Sequence, residues 1–188
     1  MIVTGCRNCV TANLSFIGGG TLNTGSGEYG FIGGGRSNQI CSGEPLSFIG
    51  GGCSNIVDGD YAAVVGGQVN CANANHAFVG GGNSNAATTG CSTIAGGYNN
   101  CTCTNQWSFI GGGYSNIAAG TSAVVVGGYN NKACGCQGFI GAGQNNTIST
   151  GQCYSIIVGG HSNTVDGTGC SNTIGGGGAN NCIHAAGS

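Results

Sequence analysis

Ser47-Phe48-Ile49-Gly50-Gly51-Gly52-Cys53-Ser54-Asn55 is the stretch on which the reading of this chain turns, because it returns almost unchanged as Ser108-Phe109-Ile110-Gly111-Gly112-Gly113-Tyr114-Ser115-Asn116. Its closing asparagine recurs along the whole sequence, at Asn8, Asn23, Asn38, Asn55, Asn70, Asn85, Asn100, Asn116, Asn131, Asn146, Asn163 and Asn180. Successive spacings are 15 to 17 residues, so twelve units account for all 188 residues. A fixed period of this size is the mark of stacked repeats.

Reading outward from each Asn gives the physical pattern. Six residues earlier the position is always Ile or Val, and eight earlier it is small in every unit that reaches it except at Asn172. Two residues apart means one face of a strand, and that face points inward. Three before Asn the residue is glycine in all twelve units, and four before it is glycine in ten, with Thr4 and Ala142 the exceptions. Glycine at fixed phase signals a tight corner or a close approach of backbones. Two after Asn comes a second apolar or small position, as in Ile40, Val57, Ile148 and Val165.

Each unit therefore reads as strand, glycine turn, short strand, turn. The coil is too short for a helical repeat and no segment carries a helical apolar stripe. The expectation is an all-β chain, a single parallel β-solenoid of about twelve coils over residues 1–188, with no second domain and no separate caps. Stacked at the interstrand spacing, it would make a rod about 55 to 60 Å long.

Composition narrows the function. The chain holds 43 glycines but only eight charged side chains, three basic and five acidic, with a net charge of −2. Arg7, Arg36 and Lys132 are the only fixed cations, so no basic stripe is available and nucleic acid is not an expected partner. No run approaches a membrane span, so no direct membrane insertion is expected, and the opening MIVTGCRNCV lacks the regions of a signal peptide. The expectation is a mature or excised piece, or release without such a signal. Disorder is disfavoured by the regular placement of Ile, Val and Phe.

An Asn at one phase of every coil is either a ligand-binding row or a ladder that satisfies turn amides, and its regularity favours the ladder. Positions seven and nine before Asn, which alternate out of the core, are unexpectedly apolar. Phe16, Phe31, Phe48, Phe78, Phe109, Phe139, Tyr29, Tyr61 and Trp107 form this band. A band so wide exceeds what a soluble monomer exposes and is expected to be buried by lateral self-association. Uncapped strand edges add an expectation of end-to-end filaments.

Chemistry-bearing residues do not converge. His76, His161 and His184 fall at different phases, and Glu28, Glu44, Asp58, Asp60 and Asp166 form no pair around a nucleophile. No catalytic residue, cofactor or metal site is expected, and the glycine strings lack the Lys-Ser/Thr ending of a phosphate loop. Among 13 cysteines, Cys6/Cys9, Cys101/Cys103 and Cys134/Cys136 are close pairs, yet no two pairs lie in adjacent coils to assemble a four-thiolate zinc site. Cys153 and Cys170 share a phase in adjacent coils, within disulfide reach. Tyr98, Tyr114 and Tyr129 stand two before Asn in consecutive coils, a ladder that either steadies its neighbours or offers flat faces to sugar rings.

Units such as Ser47 to Asn55 and Tyr114-Ser115-Asn116-Ile117-Ala118-Ala119-Gly120 resemble head repeats of trimeric autotransporter adhesins, and similar glycine-rich coils occur in phage tail fibres. The resemblance implies a left-handed β-roll, a homotrimer, and an extracellular, cell-surface or virion setting with a glycan or matrix ligand. The chain departs from those adhesins in having no neck, heptad stalk or anchor barrel, and in its many cysteines. The functional expectation is a non-enzymatic structural fibre or adhesin-type module. Ice binding is the rival, although Thr93 and Thr173 only interrupt the Phe column instead of forming a Thr rank.

Overall fold

A computed structural model describes residues 1–185 except 44, 168 and 179. Among these there is no helix, and the chain winds as a parallel β-solenoid of about twelve coils. One sheet has 11 strands, from Phe16–Ile17 to Thr173–Ile174, and a second has 12, from Cys9–Val10 to Cys182–Ala185. Each strand pairs with its equivalent one coil away, as Phe31↔Phe48 and Gln39↔Ile56. A third ladder of single bridges runs from Cys6 through Tyr98, Tyr114 and Tyr129 to His161.

The core is a thin filling between the sheets. Ile17, Ile32 and Ile49 come from the first sheet and Ile40, Val57 and Ile148 from the second, all fully buried, while Val10 and Ile183 in the end coils are only partly covered. Volumes are matched within a coil. Where the small position is Gly30 or Gly138, the facing residue is a long Ile, and a Cβ on those glycines would stand 3.2 Å from Ile40 Cδ1 and 3.5 Å from Ile148 Cδ1. Where it is Ser92, Thr102 faces it and the two hydroxyls hydrogen-bond at 2.9 Å. Close packing of this kind penalises a change of one methylene.

The asparagines are buried in a hydrogen-bonded column. Asn23 Nδ2 donates to Gly19 O in its own coil (3.0 Å) and to Gly35 O in the next (2.9 Å). Its Oδ1 accepts from the Asn38 backbone N (3.0 Å) and from Asn38 Nδ2 (3.2 Å). All four valences of the amide are thus used, which removes the cost of burying it. The last coil departs from the spacing. There Asn181, and not Asn180, joins the column by donating to Asn163 Oδ1 from its backbone (3.1 Å) and side chain (3.0 Å). The reason is the run Gly175 to Gly178, one glycine longer than elsewhere, which carries the following strand one residue on.

The glycine three before Asn is forced by space as well as by backbone. At Gly97 φ is +93°, and an added Cβ would collide with the carbonyl of Gly113 and stand 2.6 Å from Asn100 Nδ2. Corners made by bulky residues are less expected. Tyr29, Tyr61 and Trp107 take φ of 56°, 55° and 61°, a region costing about 1–2 kcal/mol for a side chain. Their N–H groups turn back to the preceding coil, Tyr61 N donating to Pro45 O at 3.0 Å, whereas strand amides donate forward, Phe31 N to Ser47 O at 3.0 Å. The alternation in the sequence predicts these residues on one strand with the Phe column. Nearly all strands are two residues long, so they sit instead on the corner beside it.

Candidate functional site

All six phenylalanines of the chain are on the outward face of the first sheet, and none is in the core. Phe31, Phe48, Phe78 and Phe109 are each 38–39% exposed. Phe16, Phe31 and Phe48 stack with centroids 5.2 and 5.4 Å apart. The glycine two residues on is held tightly against the next coil: a Cβ at Gly18 or Gly111 would collide with the carbonyl of Gly33 or Val126, while standing at an ordinary 3.5 Å from the ring edge of Phe16 or Phe109.

The sequence carries a correlation along this face. Wherever the column holds Phe, the residue two further on is Gly, as Phe78/Gly80 and Phe139/Gly141. Where the column holds a smaller residue, the partner enlarges, as Ala63/Val65, Thr93/Ala95, Val124/Val126 and Ile156/Val158. Only Thr173/Gly175 breaks the exchange. From Phe16 to Gly175 the face holds no charged side chain. The corner column beside it adds Tyr29, Leu46, Tyr61 and Trp107, all at least half exposed, with Tyr61 stacked on His76 at 5.2 Å.

The outer side of the second sheet is different in kind. Its columns mix Thr24, Gln39, Asp58 and Lys132 with Cys9, Cys41, Cys71, Cys101, Cys103 and Cys134. On the bridge ladder, Tyr98, Tyr114 and Tyr129 stack at 5.0 Å spacing, each nearly half exposed.

The cysteines fall into columns. All 13 are free thiols and none is fully buried. Cys153 has Cys136 on one side and Cys170 on the other, and burial followed by these two sulfurs pushes its thiol up. Cys136 shares the phase of Cys153 and Cys170, immediately before the corner residue, which a search for one pair overlooks. Cys101 and Cys103 face the same way from one coil. The hydrogen bond from Cys101 lowers Cys103 to about 7, while Cys101, the donor, is pushed up. Burial, then the Asp58 carboxylate, raises Cys41 to about 11. So one thiol is activated and another is made inert on the same sheet.

A group of unlike donors closes this sheet: Asp166, Cys182 and His184, with one ligand atom each within 4.8 Å of the others. Sequence reasoning missed it because counting from Asn180 instead of Asn181 puts Cys182 and His184 on the wrong face. A shallow cleft of about 330 Å³ lies in the early coils, lined by Thr11, Asn13, Ser26, Glu28 and Pro45. Glu44, one of the acids considered from the sequence, lies outside the described residues. Among the described residues no helix is long and apolar enough to cross a membrane.

No protein-family model matches the chain, and no curated protein matches it at a significant level.

Proposed function

We propose that this chain is a structural module whose work is to associate with copies of itself, three around a common axis, in a fibre or adhesin-type appendage outside the cell or on a virion. The observation that carries the reading is the first sheet's outer face, where every phenylalanine of the chain is displayed and no charge intervenes. The exchange of Phe/Gly for Ala/Val keeps that face apolar while its individual residues change. A solvated face has no need of this; a face that meets another copy does. Cyclic closure satisfies identical faces without leaving one exposed.

The stacked Tyr98, Tyr114 and Tyr129 rings are read first as braces between coils, with contact to a surface glycan as their second use. The test is the solution mass of the non-reduced protein by sedimentation equilibrium, with negative-stain images of the same sample. A trimeric rod or longer fibre is expected. A stable monomer at micromolar concentration overturns the reading, and ice or small-ligand binding then becomes the function to assay.

A further inference from the structure

Two strands of the second sheet, Thr164–Gly167 and Cys182–Ala185, are four residues long, twice the length of every other strand among the described residues. They pair in register over their whole length, with Asp166 opposite His184 and Thr164 opposite Cys182. The longer pairing continues straight where earlier coils turn, and it holds the side chains of Asp166 and His184 side by side on one face. Cys182 and His184, two apart on one strand, share that face. The extra glycine before Asn181 is what sets this phase, because without it the Cys-x-His pair would present its other side.

The donors are close and incompletely satisfied. His184 Nδ1 is in contact with Asp166 Oδ1, and its Nε2 stands 3.2 Å from Cys182 Sγ. Asp166 Oδ1 is shielded from solvent yet makes no hydrogen bond, facing His184 alone. A carboxylate oxygen, an imidazole nitrogen and a thiol sulfur within 4.8 Å of one another match the ligand set and spacing of a borderline-soft divalent ion. Calcium and magnesium would want more oxygens than this cluster has.

We propose that Asp166, Cys182 and His184 bind a transition-metal ion of the zinc type, with solvent completing its coordination, and that the ion fastens the last paired strand to the one before it. The order of the three groups also resembles a thiol nucleophile with its base and orienter. The His184 side chain is 74% exposed, however, and the cleft lined by Thr11 and Pro45 lies many coils away, an arrangement that suits an ion completed by solvent and not a substrate that must be enclosed.

The test uses the full chain, reduced and freed of metal, titrated with Zn²⁺ against a chromophoric chelator and separately with Co²⁺ for thiolate-to-metal absorption. Because free thiols elsewhere on the chain are able to ligate zinc weakly, the tightest equivalent is followed through Asp166→Asn, Cys182→Ser and His184→Gln, with Cys101→Ser/Cys103→Ser as the control. Folding of each variant is checked by circular dichroism. Each of the three substitutions is expected to weaken that equivalent about 10-fold or more, and the control to leave it unchanged. If the tightest equivalent survives the three substitutions, or the wild type takes no zinc from the chelator, the proposal fails.

Discussion

The buried Asn column and the exposed Phe column run the length of the same coils, a few residues apart, yet they keep their chemistry in different ways. The Asn column repeats one residue, because each amide is bonded to named backbone groups above and below, as Asn100 is to Gly96 O, Gly113 O and the Asn116 N–H. No other side chain has that shape with both a donor and an acceptor. The Phe column varies, but its variation is compensated by the residue two further on, as in Phe109/Gly111 against Val124/Val126. What persists inside is a bonding pattern, and what persists outside is an apolar, uncharged surface. A constraint on the surface as a whole is what contact with another surface imposes.

The comparison breaks most visibly on the inside. Gly97→Ala forces a Cβ into the Gly113 carbonyl at a backbone angle hostile to side chains, whereas Gly96, its neighbour, has open space where a Cβ would go. Gly97→Ala is expected to cost more than about 3 kcal/mol and Gly96→Ala less than about 1, read as the shift in guanidinium unfolding. Equal effects would show that the coil does not close as described. Asn100→Leu leaves the Asn116 N–H and Gly96 O buried without their side-chain partner, for a loss of about 2–4 kcal/mol.

A smaller effect sharpens the outer half. Phe78→Ala removes an outward ring and leaves the alanine surface that Ala63 presents in the adjacent coil, whereas Gly80→Val drives a Cβ into the Ala95 carbonyl of the next coil whatever stands at position 78. Phe78→Ala is expected to weaken association in sedimentation velocity with the unfolding midpoint near wild type, and Gly80→Val to lower stability by more than about 2 kcal/mol with or without Phe78→Ala. Rescue of Gly80→Val by Phe78→Ala would mean that the ring, and not the carbonyl, excludes the side chain.

The smallest effect concerns thiols on the other sheet. The Cys101 hydrogen bond stabilises the charged form of Cys103 and so lowers its titration to about 7. The reactive thiolate should therefore be half-formed near pH 7 and predominate as pH rises above it. Iodoacetamide labelling followed by mass spectrometry should show Cys103 modified at pH 7.5 before Cys41, which titrates near 11. In Cys101→Ala, which removes the donor, the Cys103 midpoint should move upward.

Much of this architecture is legible in the order of residues. The Ile/Val position, the small position eight before Asn, and the glycine three before Asn report directly on burial and close approach, since each is imposed by one local contact. The corners at Tyr29, Tyr61 and Trp107 are not legible, because their positive φ is held by amides donating to the preceding coil against their own preference. The phase of the last coil is hidden for another reason. A run of four glycines followed by two adjacent asparagines, Asn180 and Asn181, offers two registers; spacing favours Asn180, 17 residues after Asn163, and only the pairing of Thr164 with Cys182 shows that Asn181, 18 residues on, is the one used. With that register the Asp166, Cys182 and His184 grouping comes into view; without it, His184 is simply a third scattered histidine.

Sedimentation equilibrium of Phe48→Glu/Phe109→Glu, set beside wild type, tests the central claim most directly. Both side chains point out of the first sheet and contribute nothing to the buried Ile/Val core, so the coil should keep its circular dichroism and unfold near the wild-type midpoint. The account predicts that wild type sediments as a trimer or larger and the variant as a monomer. A variant that associates as wild type does would contradict it, because the uncharged outer face could not then be the surface that holds the copies together.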